Sequence, residues 1–180
     1  MDRMVEMSDE ETIIHIQWTG PHTFEDAKRS NGPTDYGVDQ IYGGHPVYGT
    51  SVLLYIGRAM QQKFGKRISQ EVWWPYNNDV GRVEVYVGRL SGYNQTLDAA
   101  KWNKHIELCE RLLIYAHAPA ANAQTNLAAL ERDLWYLHVL NWGLHRDLLP
   151  EVSGARWTTR FGSNEGYRQF DATLMPDAAE

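Results

Sequence analysis

The chain has 180 residues, 43% hydrophobic and 22% charged, and a formal net charge of −6. That length suits one domain with a real core and is short for two, and the composition excludes a disordered or fibrous chain. No apolar run approaches the roughly 20 residues that cross a bilayer, so no membrane partner is expected.

In chain order, Glu11 to Trp18 is rich in β-branched residues and predicts an edge strand. Thr19 to Asp35 reads as a loop with one short helix near Phe24–Lys28. Val38 to Tyr42 and Val52 to Ile56 predict two strands of a long hairpin, joined by the turn-rich connector Gly43–Gly49. The period then becomes helical: Phe64, Ile68 and Val72 are four apart, and Trp73-Trp74-Pro75 ends the helix before a turn at Tyr76–Asp79. Arg82 to Val87 alternates, which predicts a third strand with Val83, Val85 and Val87 on one face. The longest helix is expected from about Leu97 to Ala116, with Thr96 as N-cap and Pro119 beyond its end. Trp102, Ile106, Cys109, Leu113 and Ala116 form its apolar stripe, and Glu110 falls at the stripe's border, where apolar burial alone would not choose a carboxylate. Further on, Asn126 to Arg132 reads as a helical turn, Trp135 to Asn141 as a strand, and Leu148 to Trp157 as packed coil or short strands. The last ten or so residues are expected to fray.

The acidic net charge opposes nucleic-acid binding at first sight. Between Tyr55 and Tyr115, however, nine basic residues face six acidic ones, so the stretch is net positive between acidic ends. The acidic start, Met1 to Glu11, lacks the order of a signal peptide, and the lone Cys109 cannot form an internal disulfide. A cytoplasmic protein with a buried structural thiol is expected. His45, His105, His117, His138 and His145 show no ligand spacing, which argues against zinc. Cys109 and Ser153 have no base pattern beside them, and no glycine-rich phosphate loop is present.

Gly37-Val38-Asp39-Gln40-Ile41-Tyr42 is followed by Tyr55-Ile56-Gly57-Arg58, then by Arg67 on a helix. On the long helix stands Glu110, with Leu113-Ile114, Pro119 and Asn122 after it. This succession resembles the GIY-YIG nuclease superfamily, which includes excision-repair nucleases, phage homing endonucleases and some restriction enzymes. The tripeptide Tyr-Ile-Gly is weak by itself, and the Glu, Leu-Ile, Pro, Asn succession is the stronger half. The resemblance covers about residues 37–122.

It implies an α+β fold, a small and mainly antiparallel sheet flanked by helices, as a single domain over 1–180 with extensions at 1–36 and 123–180. The implied activity is divalent-metal-dependent endonucleolysis of DNA, in restriction, phage defence or repair, with RNA the second choice of substrate. Glu110 supplies a hard carboxylate for Mg²⁺ or Mn²⁺, and Arg67 offers its planar fork to the scissile phosphate. Tyr55 positions or deprotonates the water, and Asn122 orients a ligand or the substrate backbone. Cutting both strands would suit a homodimer.

Two positions depart from the resemblance. Asp39 stands where the first motif has a tyrosine, either as a lesion that impairs cleavage or as a base or second metal ligand. Tyr42, three residues on and facing the other way, is the weaker substitute. Glu71 stands where relatives carry His or Tyr, and either transfers protons or pairs with Arg67 four residues before it. The alternative function is a catalytically impaired module that binds nucleic acid or protein.

Overall fold

The computed structural model describes residues 11–70, 83–91, 97–122 and 129–158. It is an α+β structure built on one curled six-stranded sheet. The strands are β1 (Thr12–His22), β2 (Gly37–His45), β3 (Gly49–Ala59), β4 (Glu84–Ser91), β5 (Leu137–Gly143) and β6 (Glu151–Ser153). The helices are α1 (Phe24–Ala27), α2 (Phe64–Ser69) and α3 (Ala99–His117), with short 3-10 turns at Arg132–Leu134 and Gly154–Trp157. The spatial order is β3-β2-β4-β1-β5-β6. The β1–β5 pair is parallel and the other four pairs are antiparallel, so the sheet is mixed and mainly antiparallel, as expected.

β1 is the main correction to the expected layout. It lies inside the sheet, between β4 and β5, and not at an edge. Ile14, Ile16 and Trp18 are at most 1% exposed, and ladders on both sides take up the backbone groups. The strand also runs into the expected loop. One extra residue is accommodated between Thr19, opposite Val87, and His22, opposite Val85. Pro21 lies in that gap and has no N–H to give to a ladder.

The β2–β3 hairpin is tighter than its connector suggested: the strands continue to His45 and resume at Gly49, leaving residues 46–48 as the tip. There the His45 Nδ1 accepts the backbone N–H groups of Val47 and Tyr48. β2 is buried along all but its last residue, because strands pair with it on both sides and helices cover the sheet.

α3 caps differently from expectation. Asp98 accepts the Lys101 N–H at 2.8 Å, whereas Thr96 lies outside the described residues. The helix ends at Ala118, which is left-handed (φ 45°), immediately before Pro119. Its apolar stripe, Ile106, Cys109, Leu112 and Leu113, packs with Ile14, Ile16, Trp18, Ile56 and Val139. Each such Leu or Ile contributes roughly 1.5–3 kcal/mol on full burial. A second cluster joins Ala27 of α1 and Phe64 and Ile68 of α2 to Ala59, Val85 and Val87. Val83 packs on it too, so the three valines share a face as expected.

α2 begins on the expected phase. The predicted Val72 end, the Trp73–Asp79 turn, the 123–128 part of the expected helical turn and the chain end beyond 158 lie outside the described residues. Among the described residues, no helix is long and apolar enough to cross a membrane.

Candidate active site

β3 ends the sheet order, so one edge of its backbone faces away from the other strands. The segment after α3 closes that edge. The Ala120 N–H donates to the Leu53 carbonyl and the Ala121 N–H to the Leu54 carbonyl. Asn122 then takes both backbone groups of Ile56: its Oδ1 accepts the Ile56 N–H at 2.9 Å and its Nδ2 donates to the Ile56 carbonyl at 3.0 Å. Asn122 is buried, and these two bonds commit both ends of its amide to positioning β3.

Beyond Ile56 comes Gly57, directly across the ladder from Asp39. A Cβ on Gly57 would lie 2.7 Å from Tyr55 Cε1, 2.8 Å from Arg67 Nη2 and 3.0 Å from Asp39 Oδ2. Real Cβ atoms do not approach neighbours this closely, so glycine is what lets these three side chains close on one point. Tyr55 and Gly57 share a strand face by the period of two, and Arg67 reaches them from the last turn of α2. Arg67 is held by hydrogen bonds to β3. Its Nε donates to the Arg58 carbonyl and its Nη2 to the Tyr55 hydroxyl, each at 3.1 Å.

Arg58 alternates to the side of β3 on which Ile56 meets α3, and there it pairs with Glu110, Nη1 to Oε2 at 2.6 Å. The Glu110 side chain is only 13% exposed, more buried than a position at the border of the stripe implied. Burial raises its carboxyl to about pH 7, and the negative Asp39 adds to the rise, while Arg58 and Arg67 oppose it. Asp39 is 1% exposed. Thus Asp39, Tyr55, Arg58, Arg67 and Glu110, drawn from β2, β3, α2 and α3, form one electrostatically coupled group.

Tyr42 does not belong to it. Its ring is fully buried, its hydroxyl donates to Gln40 Oε1 at 2.9 Å, and the Arg146 guanidinium lies 3.9 Å from the ring centroid. Burial holds its phenol well above the ordinary range. Glu71 lies outside the described residues. Neither Arg58 nor the steric role of Gly57 stands out from the motif alone. The strand period of two was the available signal for Arg58, since it turns residue 58 away from Tyr55 and toward the long helix.

Among the described residues, no three His, Cys, Asp or Glu side chains gather, so no all-protein metal cage is present. Glu110 offers a hard carboxylate, the donor type that suits a divalent ion retaining most of its waters, and it feels the Asp39 charge through space. A cavity of about 520 Å³ has Tyr36, Gln61, Arg89, Trp102 and Asn103 in its lining. Gln61 follows Arg58 by three residues, and Trp102 precedes Glu110 by about two turns of α3. No protein-family model, curated protein or solved structure matches the chain.

Proposed function

We propose that this chain is a divalent-metal-dependent endonuclease of the GIY-YIG superfamily that hydrolyses phosphodiester bonds in DNA, in restriction, phage defence or repair. The observation that carries the reading is the meeting of Tyr55, Arg67 and Asp39 at the bare Cα of Gly57, with Glu110 electrostatically coupled to Arg67 and Asp39. Such a group holds what phosphodiester hydrolysis requires: a carboxylate for a cation, a guanidinium for phosphoryl charge and a hydroxyl for the water.

A bound Mg²⁺ or Mn²⁺ supplies Lewis-acid stabilisation of charge on the phosphoryl oxygens. Glu110 would hold it. Arg67, anchored on the Arg58 carbonyl, keeps its fork rigid for the scissile phosphate. Its bond to the Tyr55 oxygen fixes that oxygen in place, where Tyr55 positions or deprotonates the attacking water. Asn122 acts through Ile56, by fixing the strand that carries Tyr55 and Gly57. The cavity with Tyr36 and Trp102 in its lining offers aromatic faces on which bases could stack.

Plasmid DNA with Mg²⁺ present or chelated tests the reading. Nicking or linearisation that requires the metal and vanishes in Glu110→Gln is the expected result. The second reading, an impaired module that binds nucleic acid or protein, is favoured by Asp39 at the usual tyrosine position. DNA retention without any metal-dependent nicking would select it.

A further inference from the structure

Two arginines act on Glu110, and they are held differently. Arg67 is pinned at both Nε and Nη2. The Arg58 guanidinium contacts Glu110 at 2.6 Å, and its side chain keeps 34% of its surface exposed. One arginine is therefore built in, and the other can leave toward solvent. The carboxylate oxygen that Arg58 holds, Oε2, carries lone pairs that a hard divalent cation uses. A guanidinium and a divalent cation crowded onto one carboxylate repel each other strongly.

We propose that Arg58 is an exchangeable counter-ion: it holds Glu110 in the resting protein, yields it to an incoming divalent cation, and turns its freed guanidinium to a phosphate of the nucleic acid. This rests on the nuclease reading above and adds a positioning residue to it. The cation alone must break the ion pair and leaves Arg58 without a partner. Nucleic acid offers that guanidinium a bidentate phosphate in exchange. Cation and nucleic acid therefore bind cooperatively, and by linkage each tightens the other by the same factor.

The test is Mn²⁺ binding at pH 8, read from the free-ion signal in electron paramagnetic resonance. It is run on the full chain, with and without a cleavage-resistant phosphorothioate duplex. Arg58→Gln is expected to bind Mn²⁺ alone about two- to fivefold more tightly than the parent, the size of a lost competing ion pair. The tightening that duplex produces in the parent should shrink in this variant. Arg58→Lys, still cationic, should stay near the parent, and the parent's own coupling to duplex needs no variant at all. Unchanged or weaker Mn²⁺ binding in Arg58→Gln, with Glu110→Gln unable to bind, would make Arg58 a fixed structural partner and overturn the exchange. Mn²⁺ binding that survives Glu110→Gln would overturn the metal assignment itself, and the exchange with it.

Discussion

Asp39 and Gly57 face each other across the β2–β3 ladder, and a Cβ on Gly57 would come within 3.0 Å of an Asp39 carboxylate oxygen. The same point lies 2.8 Å from Arg67 Nη2. Gly57→Ala is therefore expected to push Arg67 off the Tyr55 hydroxyl while leaving the sheet intact. Cleavage should fall on the order of 10²-fold, as when one preorganised donor is lost. Stability should drop by no more than about 1–3 kcal/mol, because the crowded atoms are largely side-chain ends. Cleavage kinetics beside thermal melting check the split, and full activity in Gly57→Ala would break the steric argument.

Glu110 ties pH to stability and, on the nuclease reading, to cleavage. Its folded-state carboxyl is raised to about 7 from an ordinary 4.5, chiefly by burial. Between these values the folded protein holds a proton that the unfolded chain has lost. Stability without metal therefore falls as pH rises from about 4.5 to 7, by on the order of 1–3 kcal/mol. Glu110→Gln should flatten that slope, melt higher than the parent at pH 8, and abolish cleavage. A divalent cation favours the carboxylate, so Mn²⁺ should stabilise the parent at pH 8 and not the variant. Melting curves across pH, with and without Mn²⁺, read both effects.

Asp39 tests whether the departure from the expected tyrosine is a working residue. Its negative charge helps raise Glu110, so Asp39→Asn should lower the Glu110 titration and stabilise the protein near neutrality. If Asp39 is a base or ligand, the same variant loses at least about 10²-fold in rate, a typical contribution of one positioned acid–base group. In the impaired module, Asp39→Asn leaves the absence of cleavage unchanged and Asp39→Tyr creates it. Cleavage rates of the parent and both variants at pH 8 separate the two: a parent that cuts and loses cleavage in Asp39→Asn marks a working carboxylate, and cleavage that appears only in Asp39→Tyr marks the impaired module.

Asn122 is expected to act on stability first. Asn122→Ala removes both hydrogen bonds to Ile56 and leaves a buried N–H and carbonyl without partners. That loss costs on the order of 2–4 kcal/mol. Cleavage in this variant should fall along with its melting temperature and recover in part at low temperature. An Asn122→Ala protein with parental stability and no cleavage would place its amide on the substrate.

Much of this layout was legible in the chain because it is local. The four-residue spacing of Phe64 and Ile68, the stripe on α3 and the alternating valines of β4 each arise within a few residues. Hydrophobic period therefore sufficed to predict those elements and to set Glu110 beside the core. The succession of Tyr55, Arg67 and Glu110, spread over 55 positions, has no such local origin and is implied only by the resemblance to a nuclease family. Contacts between distant segments were not readable. Pairing on both sides took Ile14, Ile16 and Trp18 into the middle of the sheet, although a β-branched run looks alike at an edge and inside. Asp98 and Thr96 are both cap-forming residues, and helix placement chose Asp98. Arg58 meets Glu110 across 52 positions, and Asn122 meets Ile56 across 66. Burial depth decided the rest: it raises Glu110, turns Tyr42 into a core ring and makes the missing side chain of Gly57 the space where the site closes.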